Sequence, residues 1–366
     1  MTDPRIQKLA NLLVNFSLNV QPGEAIWINC GLPGEELGLE AYKAVLQAGA
    51  HPTLYTEFPR ANEIFYKYGS DAQIEFIPPI MKMYEIYDRI LFIYASQNTR
   101  ALSGVDPTRR AKWLQANNTW FKLMNEREGK RQWCSTMFPT YASAQEANMS
   151  LPDFEDFVYR AGMLDQDDPV KAWETLIKQM HILADWLNGH ETVVLKGSDV
   201  DLRMSVKGRK FVSTDVMANF PGGEIFTSPV EDSANGWIRF RYPAIIMGQE
   251  VNNIEMWFEN GKVVKEKADR GQDLLTSLLN TDAGSRFLGE LAVGTNYFVE
   301  RVTRNMLFDE KMGGTIHVAL GEAFSQTGGK NESGLHWDIL CDMHQGEITV
   351  DGELFYRDGK PIDWFD

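Results

Sequence analysis

His336 and Asp338 stand two residues apart in an apolar run made by Leu335, Trp337 and Ile339. In an extended strand that spacing puts an imidazole and a carboxylate on one face, with Trp337 and Ile339 packed behind them. His317 sits in the same way between Ile316 and Val318, inside Thr315 to Leu320. Two strands that each offer an imidazole are half of a metal site. Three acidic residues have the setting to supply more of it. Glu224 follows the turn Pro221-Gly222-Gly223 and opens an apolar segment; Glu290 interrupts the small apolar run Phe287 to Gly294; Glu310 precedes Gly313-Gly314 and the His317 segment. A lone buried carboxylate is costly, so such a residue needs a cation, a metal or a hydrogen-bond partner.

Taken singly, each glutamate also fits a salt-bridged surface position and each histidine a hydrogen-bonded core position. Together they form an N/O set suited to Zn²⁺, Co²⁺ or Mn²⁺, and two histidines with four carboxylates fit two ions better than one. His51, His181, His190 and His344 have no comparable setting and read as structural or exposed. Familiar catalytic signatures are missing. His190-Glu191 is followed by Thr-Val-Val, so no HExxH occurs, and the chain has neither GxSxG nor GxxxxGK[ST].

A chain of 366 residues favours two domains. Hydrophobic residues at 43%, with 10 Trp and 20 Phe, supply ample core and exclude disorder. Apolar runs fall far short of the ~18 residues a membrane span requires. No charged segment leads into an apolar one at the N-terminus, so no secretory signal is expected. The 3 cysteines are far apart and no CxxC occurs, which makes a reducing cytoplasm the expected location. A net charge of −15 argues against nucleic acid, whose phosphates need clustered Lys and Arg, and suits attraction of metal ions or a peptide's ammonium group.

The elements that must carry these residues follow from periodicity. Arg5 to Val20 has helical spacing at Ile6, Leu9, Leu12, Leu13 and Phe16. Strand Glu24 to Cys30, the turn Gly31 to Gly34, helix Glu35 to Ala48 and strand His51 to Thr56 read as a βαβ unit. The turn lacks GxG and reads as a plain α/β connection, not a dinucleotide site. Alternation continues through helix Pro79 to Tyr87, strand Arg89 to Ala95 and a long helix from Asp106 to about Glu128, with Asp106 as N-cap and Pro107 at its first position. Then come strand Gln132 to Phe138 and helices Leu151 to Met163 and Asp168 to Leu187, capped by Ser150 or Asp153 and by Asp167 or Asp168. From Glu191 onward short alternating segments are joined by turns such as Val206 to Arg209 and Glu259 to Lys262, the latter with an Asn-Gly hairpin signal. Helix Gly271 to Asn280 interrupts them. The expected division is an α/β domain over residues 1–189 and a β-rich α+β domain over 190–366 that carries the candidate metal ligands.

Several separated motifs occur in one order: Asn219 to Gly236 (NFPGGEIFTSPVEDSANG), Phe287 to Asn296 (FLGELAVGTN), LFDEKMGGTIHVALG from Leu307, and TGGKNESGLHWDILCDM ending at Met343. They closely resemble the thermophilic metallo-aminopeptidases of the aminopeptidase T and aminopeptidase S type. The resemblance implies an α/β domain followed by a β-rich catalytic domain, assembled as a homodimer around an internal chamber. It implies that Glu224, Glu290, Glu310, His317, His336 and Asp338 are ligands for two divalent ions, with Glu290 as bridge or catalytic carboxylate. It also implies hydrolysis of the N-terminal peptide bond of short peptides by metal-activated water, with the free α-amine held near the metals and carboxylates and no organic cofactor. One position departs from the family pattern. Where relatives commonly carry a tyrosine seven residues after the first histidine, this chain has Phe324. A metal-binding member with attenuated or altered activity is therefore the alternative expectation. A metal-dependent phosphoesterase would share the ligand types but is disfavoured by the scarcity of basic residues near the motifs.

Overall fold

The computed structural model describes residues 3–362 except 107, 111, 114, 118–131 and 247. The chain divides into two compact units: residues 1–173 with 215–222, and residues 174–214 with 223–366. The exchange between them thus falls within helix Pro169–Leu187, upstream of the Gly189 turn.

The first unit is built on a parallel sheet with strand order His51–Glu57, Ala25–Gly31, Arg89–Tyr94, Gln132–Met137 and Asn219–Phe220. Helix Pro4–Leu12 starts on Asp3, whose side chain accepts from Arg5 N–H, and has Pro4 at its first turn, where a missing N–H costs nothing. The expected βαβ unit forms, with helix Glu35–Gln47 between strands Ala25–Gly31 and His51–Glu57. Trp27, Ile90 and Phe92 make a buried cluster on the sheet, covered by Ile80, Met83 and Tyr84 of helix Pro78–Ile86. Ser150 caps helix Leu151–Ala161 by accepting from Asp153 N–H, and Asp168 accepts from Lys171 N–H ahead of helix Pro169–Leu187. After Asp106, whose carboxylate accepts from Thr108 N–H, residues 108–110 are helical. Pro107 and the stretch 118–128 of the predicted long helix lie outside the described residues. Short helices at Ala61–Tyr68, Asp71–Ile74 and Tyr141–Glu146 were not expected from periodicity; two of them are set by side-chain caps from Ser70 and Thr140.

In the second unit the strands are mainly antiparallel. Among the described residues, one eight-stranded sheet runs from Lys262–Lys267 through Ile254–Glu259, Asn235–Phe240, Val200–Ser205, Thr192–Gly197, Gly346–Val350 and Glu353–Arg357 to Lys360–Pro361. Asn260 and Gly261, at φ 48° and 81°, form the tight hairpin that the Asn-Gly pair predicts. The Val206–Arg209 turn forms, with Arg209 N–H donating to the Val206 carbonyl, but it joins no paired strands: Val200–Ser205 pairs with Thr192–Gly197 and Asn235–Phe240, while Val212–Thr214 joins another sheet. That second sheet has the order His336–Asp342, Thr315–Gly321, Leu288–Gly294, Glu224–Thr227 and Val212–Thr214. Every residue of Leu288–Gly294 and Thr315–Gly321 is buried, so both faces of its centre are covered. Among the described residues no helix is long and apolar enough to cross a membrane.

Candidate metal centre

The five-stranded sheet of the second unit brings five of the six sequence-predicted residues together; Glu310 lies outside its strands. Its register sets these five on one face, interleaved with small residues. Asp338 pairs with Ala319, which pairs with Glu290; His336 pairs with Gly321; His317 pairs with Ala292; Gly294 pairs with Glu224. Alternation along each strand then keeps His317, Ala319 and Gly321 on the face that Glu290, Ala292 and Gly294 share. The glycines answer to backbone crowding: a Cβ on Gly294 would lie 2.1 Å from the Met312 carbonyl oxygen and one on Gly321 2.0 Å from that of Leu335.

Local structure aims the carboxylates. Gly223 holds φ at 120°, and a Cβ there would come within 2.7 Å of the Asn296 side chain, so only glycine admits the turn that delivers Glu224. The pairing of the Glu290 strand shifts between Leu288 and Glu290, a bulge that re-aims the side chain after it. Gly289 occupies that bulge because a Cβ would lie 2.1 Å from the Glu322 carbonyl oxygen. Glu310 arrives from the turn after the short helix Met306–Asp309.

Two groups result, Glu224, Glu290 and His317, and Glu290, His336 and Asp338, each with ligand-type atoms within 4.8 Å of one another. Glu290 belongs to both. His317 Nε2 lies 3.4 Å from Glu224 Oε2 and 3.7 Å from Glu290 Oε1. His336 Nε2 lies 3.4 Å from Glu290 Oε2 and 3.5 Å from Asp338 Oδ1. Donors at about 2.0–2.2 Å from one tetrahedral ion stand about 3.3–3.6 Å apart, so these separations fit ligands that share an ion better than they fit direct hydrogen bonds. Glu224 Oε2 and Asp338 Oδ1 are buried oxygens with no hydrogen-bond partner among the described residues. Such orphans are rare, and both lie where a cation would satisfy them. His336 Nδ1 is 2.9 Å from the Glu322 carbonyl, which fixes the ring with Nε2 toward the carboxylates. Donor chemistry, separations and orphaned oxygens all fit a divalent ion. The first group is buried, whereas the His336 side chain is 30% exposed and forms the open side.

The charges of these groups act on one another. Burial works against the His317 imidazolium, yet the facing Glu290 and Glu224 carboxylates push it up to about 9. The His336 ring, partly desolvated, is raised well above its ordinary value by Asp338 and Glu290. Burial opposes the Glu290 carboxylate, and the two imidazoles outweigh it and hold the group below its ordinary range. Asp338 is held down in the same way, by His336 first among its neighbours.

Glu310 is the predicted ligand that neither group contains. Its carboxylate is 2.6 Å from Lys311 Nζ, which is also 2.6 Å from Glu224 Oε1. Lys311 is fully buried, and the two carboxylates outweigh the cost of burial and raise its basicity. Burial lifts Glu310 to about 7 against the pull of Lys311. Sequence reasoning missed Lys311, because Asp309-Glu310-Lys311 has the look of a solvated charge run. Phe324 stands at the open side, its ring centroid 5.0 Å from that of His336 and 5.1 Å from that of Phe226. Of the remaining histidines, His190 stacks on Trp186 and His344 pairs with Asp342.

A model of the thermophilic metalloprotease (M29) family matches residues 2–361. This chain belongs to the thermophilic metalloprotease (M29) family. Among its relatives, Aminopeptidase 2 of Geobacillus stearothermophilus is 28% identical over 98% of this chain and 98% of its own length. Aminopeptidase T of Thermus thermophilus is 26% identical over 97% of this chain and 95% of its own. The solved structure of wild-type AmpT from Thermus thermophilus shares the fold, with a TM-score of 0.84 at 21% identity over 98% of this chain and 99% of that one. The M29 assignment makes the chain a metal-dependent hydrolase of peptide bonds.

Proposed function

We propose that this chain, a metallo-aminopeptidase by family, releases the N-terminal residue of short peptides at a centre with two ion positions that share Glu290. Glu224, Glu290 and His317 would hold one divalent ion, and Glu290, His336 and Asp338 the other. The observation that carries this reading is the placement of Glu290, with one oxygen toward each histidine, beside two buried carboxylate oxygens that have no hydrogen-bond partner among the described residues. When bound, the ions supply Lewis acidity, activating water near neutral pH and stabilising the charge that develops on the scissile carbonyl oxygen.

The chain's own residues orient and select. His336 and Asp338 line the open side, so a peptide enters there. Its ammonium terminus meets a concentration of carboxylates, which favours a free α-amine over a blocked one. Glu290, kept ionised by two imidazoles, is placed to accept a proton from the attacking water as well as to hold ions. Phe324 offers an apolar ring and no hydroxyl, so charge on the carbonyl oxygen finds no phenol donor at that position. Comparing a short peptide with its N-acetylated form tests the reading. Release of the first residue from the free peptide and at least about tenfold slower cleavage of the blocked one are expected; equal rates on both would contradict aminopeptidase specificity.

A further inference from the structure

Lys311 is the feature of the centre that metal-ligand chemistry leaves unexplained. A lysine ammonium is strongly hydrated, and its complete burial requires compensation by ionised partners. Here the compensation comes from Glu224 Oε1 and Glu310 Oε1, each 2.6 Å away. The ammonium therefore does for these two oxygens what a metal ion would do: it neutralises and bridges them. Glu310 is thereby withdrawn from both ligand groups, and Glu224 keeps a single oxygen, Oε2, to offer. None of Glu290, His336 and Asp338 is within ion-pair distance of Lys311.

We propose that Lys311 makes the two ion positions unequal: the Glu290, His336 and Asp338 position holds a resident divalent ion, while the Glu224, Glu290 and His317 position loads weakly and reversibly. This rests on the metal-centre reading given above. Two effects act in the same direction at the second position. The fixed positive charge cancels much of the negative charge of Glu224, and it repels a further cation in a desolvated setting where screening is poor. The other position keeps two carboxylates and an imidazole outside ion-pair distance of Lys311, which acts on Asp338 less than either histidine does, and it faces solvent, through which an ion arrives. Lys311 is thus a positioning residue that grades metal loading rather than a group that touches substrate.

The test is metal stoichiometry and affinity of the full chain. Purified protein is loaded with Co²⁺, dialysed against metal-free buffer and measured by elemental analysis, then titrated with Co²⁺ and followed by its visible absorption. One ion per chain after dialysis is expected, with a second that binds more than about tenfold more weakly. Lys311→Gln and Lys311→Met, each checked for a native circular dichroism spectrum, are expected to retain two ions after dialysis. Glu310→Gln is expected to leave the count at one, because Glu310 serves Lys311 and not an ion. Two ions of equal affinity in the unaltered chain, or neutral variants that still keep one, would overturn the inequality while leaving the metal centre intact. No bound ion in any form of the protein would overturn both.

Discussion

Glu290 concentrates the chemistry at the scale of single residues, since it faces His317 with one oxygen and His336 with the other. Glu290→Gln keeps the shape and removes the charge, and is expected to lower kcat/KM by on the order of 10³-fold or more and to reduce bound metal together with it. Steady-state kinetics beside elemental analysis check this; an active variant with full metal content would contradict the role given to Glu290. His317 gives the pH dependence of metal binding. In the ion-free chain its imidazole is raised from 6.5 to about 9, so at pH 7 it carries a proton that an incoming ion must displace. Affinity for Zn²⁺ should therefore rise as pH increases from about 7 toward 9, by up to about tenfold per unit for each proton displaced, and calorimetry in buffers of different ionisation enthalpy should register proton release.

At the scale of elements, the proposed centre depends on a sheet face on which the candidate ligands alternate with small residues. Ala319 sits between Glu290 and Asp338 in the register and is fully buried, so Ala319→Leu would crowd both carboxylates. The expected result is a cost of about 1–3 kcal/mol in chemical denaturation and loss of metal binding by the folded protein. The i, i+2 spacing of His336 and Asp338 made this face legible in the sequence, and the strand His336–Asp342 forms with Trp337 and Ile339 buried. Glu-x-Ala-x-Gly from Glu290 and His-x-Ala-x-Gly from His317 carry the same signal, a ligand followed by small residues at a period of two, but it becomes meaningful only when pairing lines the strands up. The βαβ unit was legible because its periods are unambiguous. Helices such as Asp71–Ile74 were not, being too short to show a period and fixed by one cap. Lys311 was illegible for a different reason. Whether a lysine beside two acidic residues is solvated or buried is decided by tertiary packing, and Glu224, the partner that holds it in place, lies 87 residues away.

For the whole molecule, a formal net charge of −15 attracts cationic termini and metal ions over distances set by salt screening, which suits a hydrolase that takes both. The two units contribute differently to the chemistry, since every residue assigned to the centre lies in the β-rich second unit. Metal dependence is the claim on which the rest stands. The most direct measurement is the rate at which the purified chain releases the N-terminal residue of an unblocked short peptide, taken before chelation, after chelation and after Zn²⁺, Co²⁺ or Mn²⁺ is returned. A fall of at least about 10²-fold on chelation, with recovery when an ion is restored, is the expected result. A rate that chelation leaves unchanged would contradict it.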